Sequence, residues 1–401
     1  MVDLIDIEDI EAAEMLELPR RHNRSRVRVN PIMELSDEGF RQKYRFKRYA
    51  MKIVDLVKED LTRDGRGCPV SPEIQVCCAL RSWARHEIQD DTADLHGVSQ
   101  PFISKICKNI AETIARKSHT FIKMPATLRE QEEPMQKFRR IANFPTVIGA
   151  IDCTHIKIKK PSEDGGQLYI NRKGFASINV QVVCDADLKI MDIVTRWRGS
   201  VHDSRIFRES RLKQRFEAGA FSGILLGDSG YACTPYLFTP LLRTTTPQEQ
   251  RYNNAHISTR NTVERCFGLW KQRFRCLLRG LYCNIETAKT TIVACAVLHN
   301  IAIDMKEDVF HSGFDANKAN TQTSAAVALP VENNPIPATA ANLIETSQLR
   351  RRYYSAQVCA QTQCALSIPI TLILRWDDHS TQPERVKAQD RRLYVLSEAR
   401  G

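Results

Sequence analysis

Residues 147–158, VIGAIDCTHIKI, decide how the rest of the chain reads. The run is mostly apolar and carries Asp152 near its middle. A continuous apolar run with few polar breaks predicts a strand covered on both faces. A carboxylate there is costly unless something pairs with it, and a bound cation is one such partner. A turn cap, or an ion pair with Lys157 or Lys159, is the plainer alternative.

Downstream, Pro161 and Gly165-Gly166 stop the strand. SINVQVVCD (177–185) predicts a second strand and residues 189–197 a third, joined by the short polar turn Ala186-Asp187 as an antiparallel hairpin. GSVHD (199–203) opens a helix with Asp203 or Ser204 near its start. Residues 223–226 give a fourth strand, ending in GDSGY (227–231). Helical sequence resumes by Asn261 and runs to about Leu278, and an apolar helix over 286–303 closes the region. Three strands, a helix, a strand and then helices predict an α/β fold: a ribonuclease-H-like mixed sheet flanked by helices.

Upstream the grammar is helical. Apolar residues from Phe40 to Leu61 recur at helical spacing. Ser71-Pro72-Glu73 is an N-cap, a first-turn proline and a dipole-favoured acid, opening a helix to about Arg85. DTADLHGVSQPFISKICKNIAETI (91–114) predicts a helix-turn-helix. Ala93 allows a close crossing, Gly97 takes a positive φ in the turn, Ser99 caps the second helix and Ile103 buries it. That helix presents Gln100, Ser104, Lys105 and Lys108 outward, as a helix entering a major groove of double-stranded DNA would. A plain helical hairpin gives the same pattern. The expected divisions are a disordered leader (1–38), a helical domain (39–140), a ribonuclease-H-like domain (141–310), and a linker with an unassigned tail (311–401).

Three acids join Asp152. Asp228 ends the fourth strand between two glycines, so parallel neighbouring strands would bring it to the same sheet edge as Asp152. Glu264 sits one residue off a seam formed by Val263, Phe267, Trp270, Phe274 and Leu277, with Arg260 at i−4 and Lys271 at i+7. Asp203 is the fourth. Cutting a phosphodiester needs an activated water and relief of charge on the leaving oxygen, which two Mg²⁺ or Mn²⁺ ions about 3.5–4 Å apart supply. Hard ions take oxygen ligands, so carboxylates suit the task. Asp152 is the expected bridging ligand, with Asp228 and Glu264 on one ion each and Asp203 as direct or indirect ligand. The plain alternatives are a helix N-cap for Asp203, an i,i+4 pair with Arg260 for Glu264, and a turn aspartate for Asp228.

The acids are flanked by basic runs: seven basic and two acidic residues over 196–215, six and one over 260–279. Solvated helix faces look like this, and so does a groove that tracks phosphates. Arg172, Lys173, Arg205, Arg260, Lys271 and Arg273 are the candidate DNA contacts there, and Arg251-Tyr252-Asn253 adds donors. His155 and His202 are candidate proton carriers, or positioning histidines. The whole chain agrees in sign: 401 residues carry 58 Lys+Arg against 47 Asp+Glu, a formal net charge of +11, which favours a polyanionic partner. Thirteen scattered cysteines show no disulfide or metal-ligand spacing. With no signal peptide and no apolar run of membrane-spanning length, the expectation is a reduced intracellular protein.

GAIDCTHIKI, YINRKGFASINVQVVCD, GSVHDSRIF, LLGDSGYA, RYNNAHISTRNTVERCFGLWKQRFRCL and ACAVLHNI, in that order over 145–303, resemble the PIF/Harbinger transposases and, more closely, the Harbinger transposase-derived nucleases. Helices over 71–121 match more loosely. The resemblance implies a DDE metal site whose acids fall on Asp152, Asp203, Asp228 and Glu264. It also implies a nuclear protein, with some cytoplasmic presence, working beside a separate Myb/SANT-like DNA-binding partner. A homo-oligomer is compatible with the sequence but not fixed by it. Two classes of function follow: a metal-dependent endonuclease, or a catalytically silent DNA-binding or adaptor protein that kept the fold.

Overall fold

The computed structural model describes residues 28, 30–47, 52–61, 70–162 and 165–306. The linker and tail expected over 311–401, and most of the leader, lie outside the described residues. The end of that leader is ordered, against expectation: Pro31–Glu34 (α1) is a short helix capped by Asn30, and Ser36 caps α2, Asp37–Tyr44. The helical pattern expected to Leu61 falls on α2 and α3 (Lys52–Leu61). Arg45 ends α2 with φ +65°, a left-handed conformation that stops helical hydrogen bonding.

Next come α4 (Pro72–Arg85), α5 (Gln89–Leu95), α6 (Gln100–Arg116), α7 (Ser118–Phe121) and α8 (Leu128–Ala142). Ser71 accepts from the Ile74 amide at the start of α4. Between α5 and α6, Gly97 takes φ +65°, and Ala93 and Ile103 are fully buried. Ser99 occupies the N-cap of α6 with extended backbone but makes no side-chain cap bond. Thr127 and Glu130 form a reciprocal capping box on α8.

A five-stranded mixed sheet follows, in the order β3-β2-β1-β4-β5. β1 is Val147–Lys157, β2 Ser177–Cys184, β3 Ile190–Arg198, β4 Ile224–Leu226 and β5 Leu237–Phe238. β1, β2 and β3 are antiparallel neighbours, whereas β1–β4 and β4–β5 are parallel. β5 has too short an apolar run to stand out in the sequence. Two helices, α9 (Asp203–Arg208) and α10 (Arg211–Glu217), separate β3 from β4. α11 runs from Pro247 to Arg273, well before the expected start at Asn261, because Thr246 and Glu249 form a capping box over a first-turn proline. α12 (Arg275–Arg279) and α13 (Ile285–Asp304) complete the fold.

Helices cover both faces of the sheet. Ile151 and Val183, paired across β1 and β2, pack into one apolar cluster with Phe207, Leu212, Phe216, Leu225 and Tyr231. The opposite face meets α11, where Val263 and Trp270 are fully buried, as is Phe274 just past its end. α13 ties into β3 through Asn300, which accepts from the Ile190 amide at 2.8 Å and donates to its carbonyl at 2.7 Å.

The N-terminal helices pack on this sheet region. α13 lies against α6 and α12 against α4. Arg273 donates to the Arg45 carbonyl at 2.8 Å and its guanidinium covers the Phe46 ring. His86 bonds to the Gly280 carbonyl at 2.9 Å. No described helix is long and apolar enough to cross a membrane.

Candidate active site

The parallel pairing of β1 and β4 places two of the acids. Ala150 lies beside Leu226; Asp152 and Asp228 each follow two residues further along. Gly227 permits the turn, since a Cβ there would come within 2.9 Å of the Tyr231 ring and 3.2 Å of Leu237. Asp228 then accepts from the Gly230 amide at 2.9 Å. That bond is the turn role open to this residue, and it engages only one carboxylate oxygen.

Asp152 is strongly perturbed. Burial pushes its carboxyl up to about 7; the Cys153 amide, donating to Oδ1 at 2.7 Å, works against this, Asp228 adds to it, Arg260 opposes it, and Asp203 adds to it. Asp228 and Asp203 are thus close enough for their negative charge to be felt at Asp152.

Glu264 reaches Asp152 through a cation. Arg260 donates from Nη2 to Glu264 Oε1 at 2.8 Å and from Nη1 to Asp152 Oδ2 at 3.3 Å. The plain i,i+4 pair is therefore present, but the same guanidinium continues to a carboxylate 108 residues away. Lys271, further along α11, donates to Thr154 Oγ1 at 2.6 Å. Side chains two apart on a strand share a face, so α11 covers the Asp152–Thr154 face of β1.

Asp203 is held on the other face. It is the first residue of α9, and the N-cap is His202, which makes no side-chain cap bond. Asp203 Oδ1 instead accepts from Asn179 Nδ2 at 2.8 Å, and Asn179 also donates to the Val201 carbonyl. Asn179 pairs across the strands with His155, whose Nδ1 bonds to Ser177 Oγ at 3.1 Å. Burial lowers the affinity of His155 for a proton; Asp203 works against this, while Lys271, Arg172 and Lys173 add to the lowering. A neutral His155 suits positioning better than carrying a charge. His202 is exposed.

The basic candidates divide. Arg172, Lys173 and Arg205 are exposed, with Arg205 paired to Glu209 at 3.0 Å. Lys271 is buried enough for desolvation to bring its ammonium down to about 8, with Lys173 adding to the effect. Arg273, expected at DNA, is 5% exposed and bonded to backbone within the fold, so it cannot reach a phosphate without unpacking. Tyr252 and Asn253 are also committed inward, to the Thr239 carbonyl and to Leu241. On α6, Gln100, Ser104, Lys105 and Lys108 are exposed; Gln100 donates to Gln89 at 2.9 Å and Lys108 pairs loosely with Glu112 at 3.9 Å.

Among the described residues, no group of three or more His, Cys, Asp or Glu side chains is gathered as a ready metal site. The donor set still fits a hard divalent cation. It is all carboxylate oxygen. Its central member is costly to ionise without a positive neighbour, and one cation, the Arg260 guanidinium, already bridges two of the four acids.

Asn179 and Tyr231 were missed by sequence reasoning. Asn179, 1% exposed, orients Asp203; the signal was a pair of amides, Asn179 and Gln181, alternating with apolar residues along a buried strand. The Tyr231 hydroxyl lies 3.3 Å from Cys153 Sγ, packing beside the Asp152 backbone.

Known proteins match the same part of the chain. The DDE superfamily endonuclease family matches residues 151–300, which span β1, with Asp152, to α13. The chain is 35% identical to the human protein named "Putative nuclease HARBI1" over 285 residues, covering 70% of this chain and 81% of that one. It is 31% identical to the Xenopus laevis protein of the same name, over 69% and 81% of the two chains. It is 26% identical to an Arabidopsis thaliana protein named "Protein ALP1-like", over 64% and 68%. No solved structure matches it.

Proposed function

Because the chain belongs to the Harbinger transposase-derived DDE superfamily endonucleases, we propose that it is a divalent-metal-dependent DNA endonuclease. Asp152, Asp203, Asp228 and Glu264 would hold Mg²⁺ or Mn²⁺. One observation carries the reading: the charges of Asp203 and Asp228, 51 and 76 positions from Asp152, are felt at its carboxylate, and Glu264, 112 positions away, is joined to it through Arg260 (203 − 152, 228 − 152, 264 − 152). Bound there, the metal would activate water and relieve charge on the leaving oxygen.

The chain's own residues supply the rest. Asn179 fixes Asp203, and the Cys153 amide fixes Asp152. Arg172, Lys173 and Arg205 stand exposed as phosphate donors. Lys271 stays at Thr154, bonded to its hydroxyl. Gln100, Ser104, Lys105 and Lys108 on α6 form the exposed face of a helix-turn-helix that meets double-stranded DNA, the lysines on phosphates and Gln100 on a base edge. The domains act in the order expected from the sequence: helical segment on the duplex, sheet segment on the scissile bond. In this reading the protein works in the nucleus, and also occurs in the cytoplasm, beside a Myb/SANT-like DNA-binding partner, and allows self-association.

A second reading has its own support. Arg260 already neutralises Asp152 and Glu264, as a silent DNA-binding or adaptor protein would permit. Supercoiled-plasmid nicking separates the two. Mg²⁺- or Mn²⁺-dependent nicking, abolished by EDTA, Asp152→Ala and Glu264→Ala, supports the nuclease. No cutting by the full chain, with or without a DNA-binding partner protein, supports the adaptor.

A further inference from the structure

We propose that Arg260 is a built-in counter-ion of the acidic site, a latch that a divalent cation must displace before Asp152 and Glu264 can act together. This rests on the metal-dependent reading above and adds to it a residue that controls occupancy.

The geometry is specific. One guanidinium spans two carboxylates borne by β1 and α11, at 3.3 Å and 2.8 Å. The Arg260 and Asp152 side chains are each 17% exposed, so both are largely desolvated, while Glu264 at 49% faces water. A guanidinium forms directional bonds to both oxygens and cannot shed its charge in a protein. It therefore leaves only by moving. The half-open Glu264 side gives it a way out: the arginine stem can rotate toward solvent without unpacking α11. Asp228 is held differently: its carboxylate accepts from the Gly230 amide and its carbonyl from the Tyr231 amide.

The latch has two consequences. It lets the acids fold together in the absence of metal, since like charges crowded in a low-dielectric place otherwise repel. It also sets a threshold, because a dication must out-compete a positive charge already in place. A unit positive charge about 6 Å from a dication weakens its binding by about tenfold even at the dielectric of bulk water, and by more where water is excluded.

The test measures metal binding rather than cutting. Mn²⁺ is titrated calorimetrically into the full chain and its Arg260→Gln variant, with Asp152→Asn assigning the signal to this site. Binding at least about tenfold tighter by Arg260→Gln, lost again when Asp152→Asn is added, is the expected result. Equal or weaker binding by Arg260→Gln overturns the latch and leaves the metal site standing. If neither protein binds, or binding survives Asp152→Asn, the metal site and the latch fall together. Phenylglyoxal labelling of the wild type, read at Arg260 by peptide mass spectrometry, covers the case of a poorly folded variant. A severalfold rise in labelling on adding Mg²⁺ supports displacement, and unchanged labelling overturns it.

Discussion

Asn179 holds Asp203: the amide nitrogen donates to Asp203 Oδ1 at 2.8 Å, and Asn179 is only 1% exposed. The same nitrogen donates to the Val201 carbonyl at 2.8 Å, so one buried amide fixes both the loop before α9 and the acid at its start. Asn179→Ala removes a buried donor from both acceptors, at a cost of about 1–3 kcal/mol. The expected outcome is a lower melting temperature together with plasmid nicking reduced at least about tenfold, the size of loss typical when a ligand's supporting contact is removed. A variant that cuts and melts like wild type shows that Asp203 needs no such support.

The position of Asp152 predicts a pH dependence of stability. Its carboxyl titrates near 4 in an unfolded chain and at about 7 in the folded, metal-free one. Between those values the folded state binds more protons than the unfolded state. Stability therefore falls as pH rises from about 4 to about 7, then levels off. Asp185 and Asp192, each pushed up to about 6 by burial, contribute in the same direction. Urea unfolding in EDTA between pH 5 and 8 should show the decline, and Asp152→Asn should flatten its upper part. An unchanged slope in that variant would mean that Asp152 ionises freely in the folded protein.

For the α6 face, the prediction concerns salt. If Lys105 and Lys108 each meet a phosphate, Lys105→Ala/Lys108→Ala lowers the slope of log K against log salt by about 2, roughly one per contact. Both side chains are exposed, so the melting temperature should stay within about 1 °C of wild type, as for most surface changes. Affinity and slope equal to wild type would show that DNA does not lie along this helix.

Much of the fold was legible because its signals are local. The β1, β2 and β3 runs are apolar and bounded by glycine, proline or a polar turn. α4 announces itself by Ser71-Pro72-Glu73. Where two acids sit two residues past a parallel pair, strand order alone brings Asp152 near Asp228. The misses were long-range or small. β5 is two residues, held as a strand only by pairing with β4. Arg45 ends α2 through a backbone angle that no residue pattern announced. Arg273 reads as one more cation in a basic run, and only packing shows it turned inward to Arg45. Arg260 was expected beside Glu264 from i,i+4 spacing, but its second contact depends on how closely α11 lies across β1.

α11 is a single helix of 27 residues, and its cargo has a consequence for any shorter version of the protein. The rod carries Glu264 at one site and Arg273 at another, the latter plugged into the backbone of the N-terminal helices. Cutting the chain just before β1 would take the Arg45 carbonyl from Arg273 and uncover Phe274, whose partner ring is Phe46. The half that bears the acids is thus no free-standing module: a tilt of the rod at one end is felt at the other, and whatever grips the front of the molecule also has a hand on Glu264.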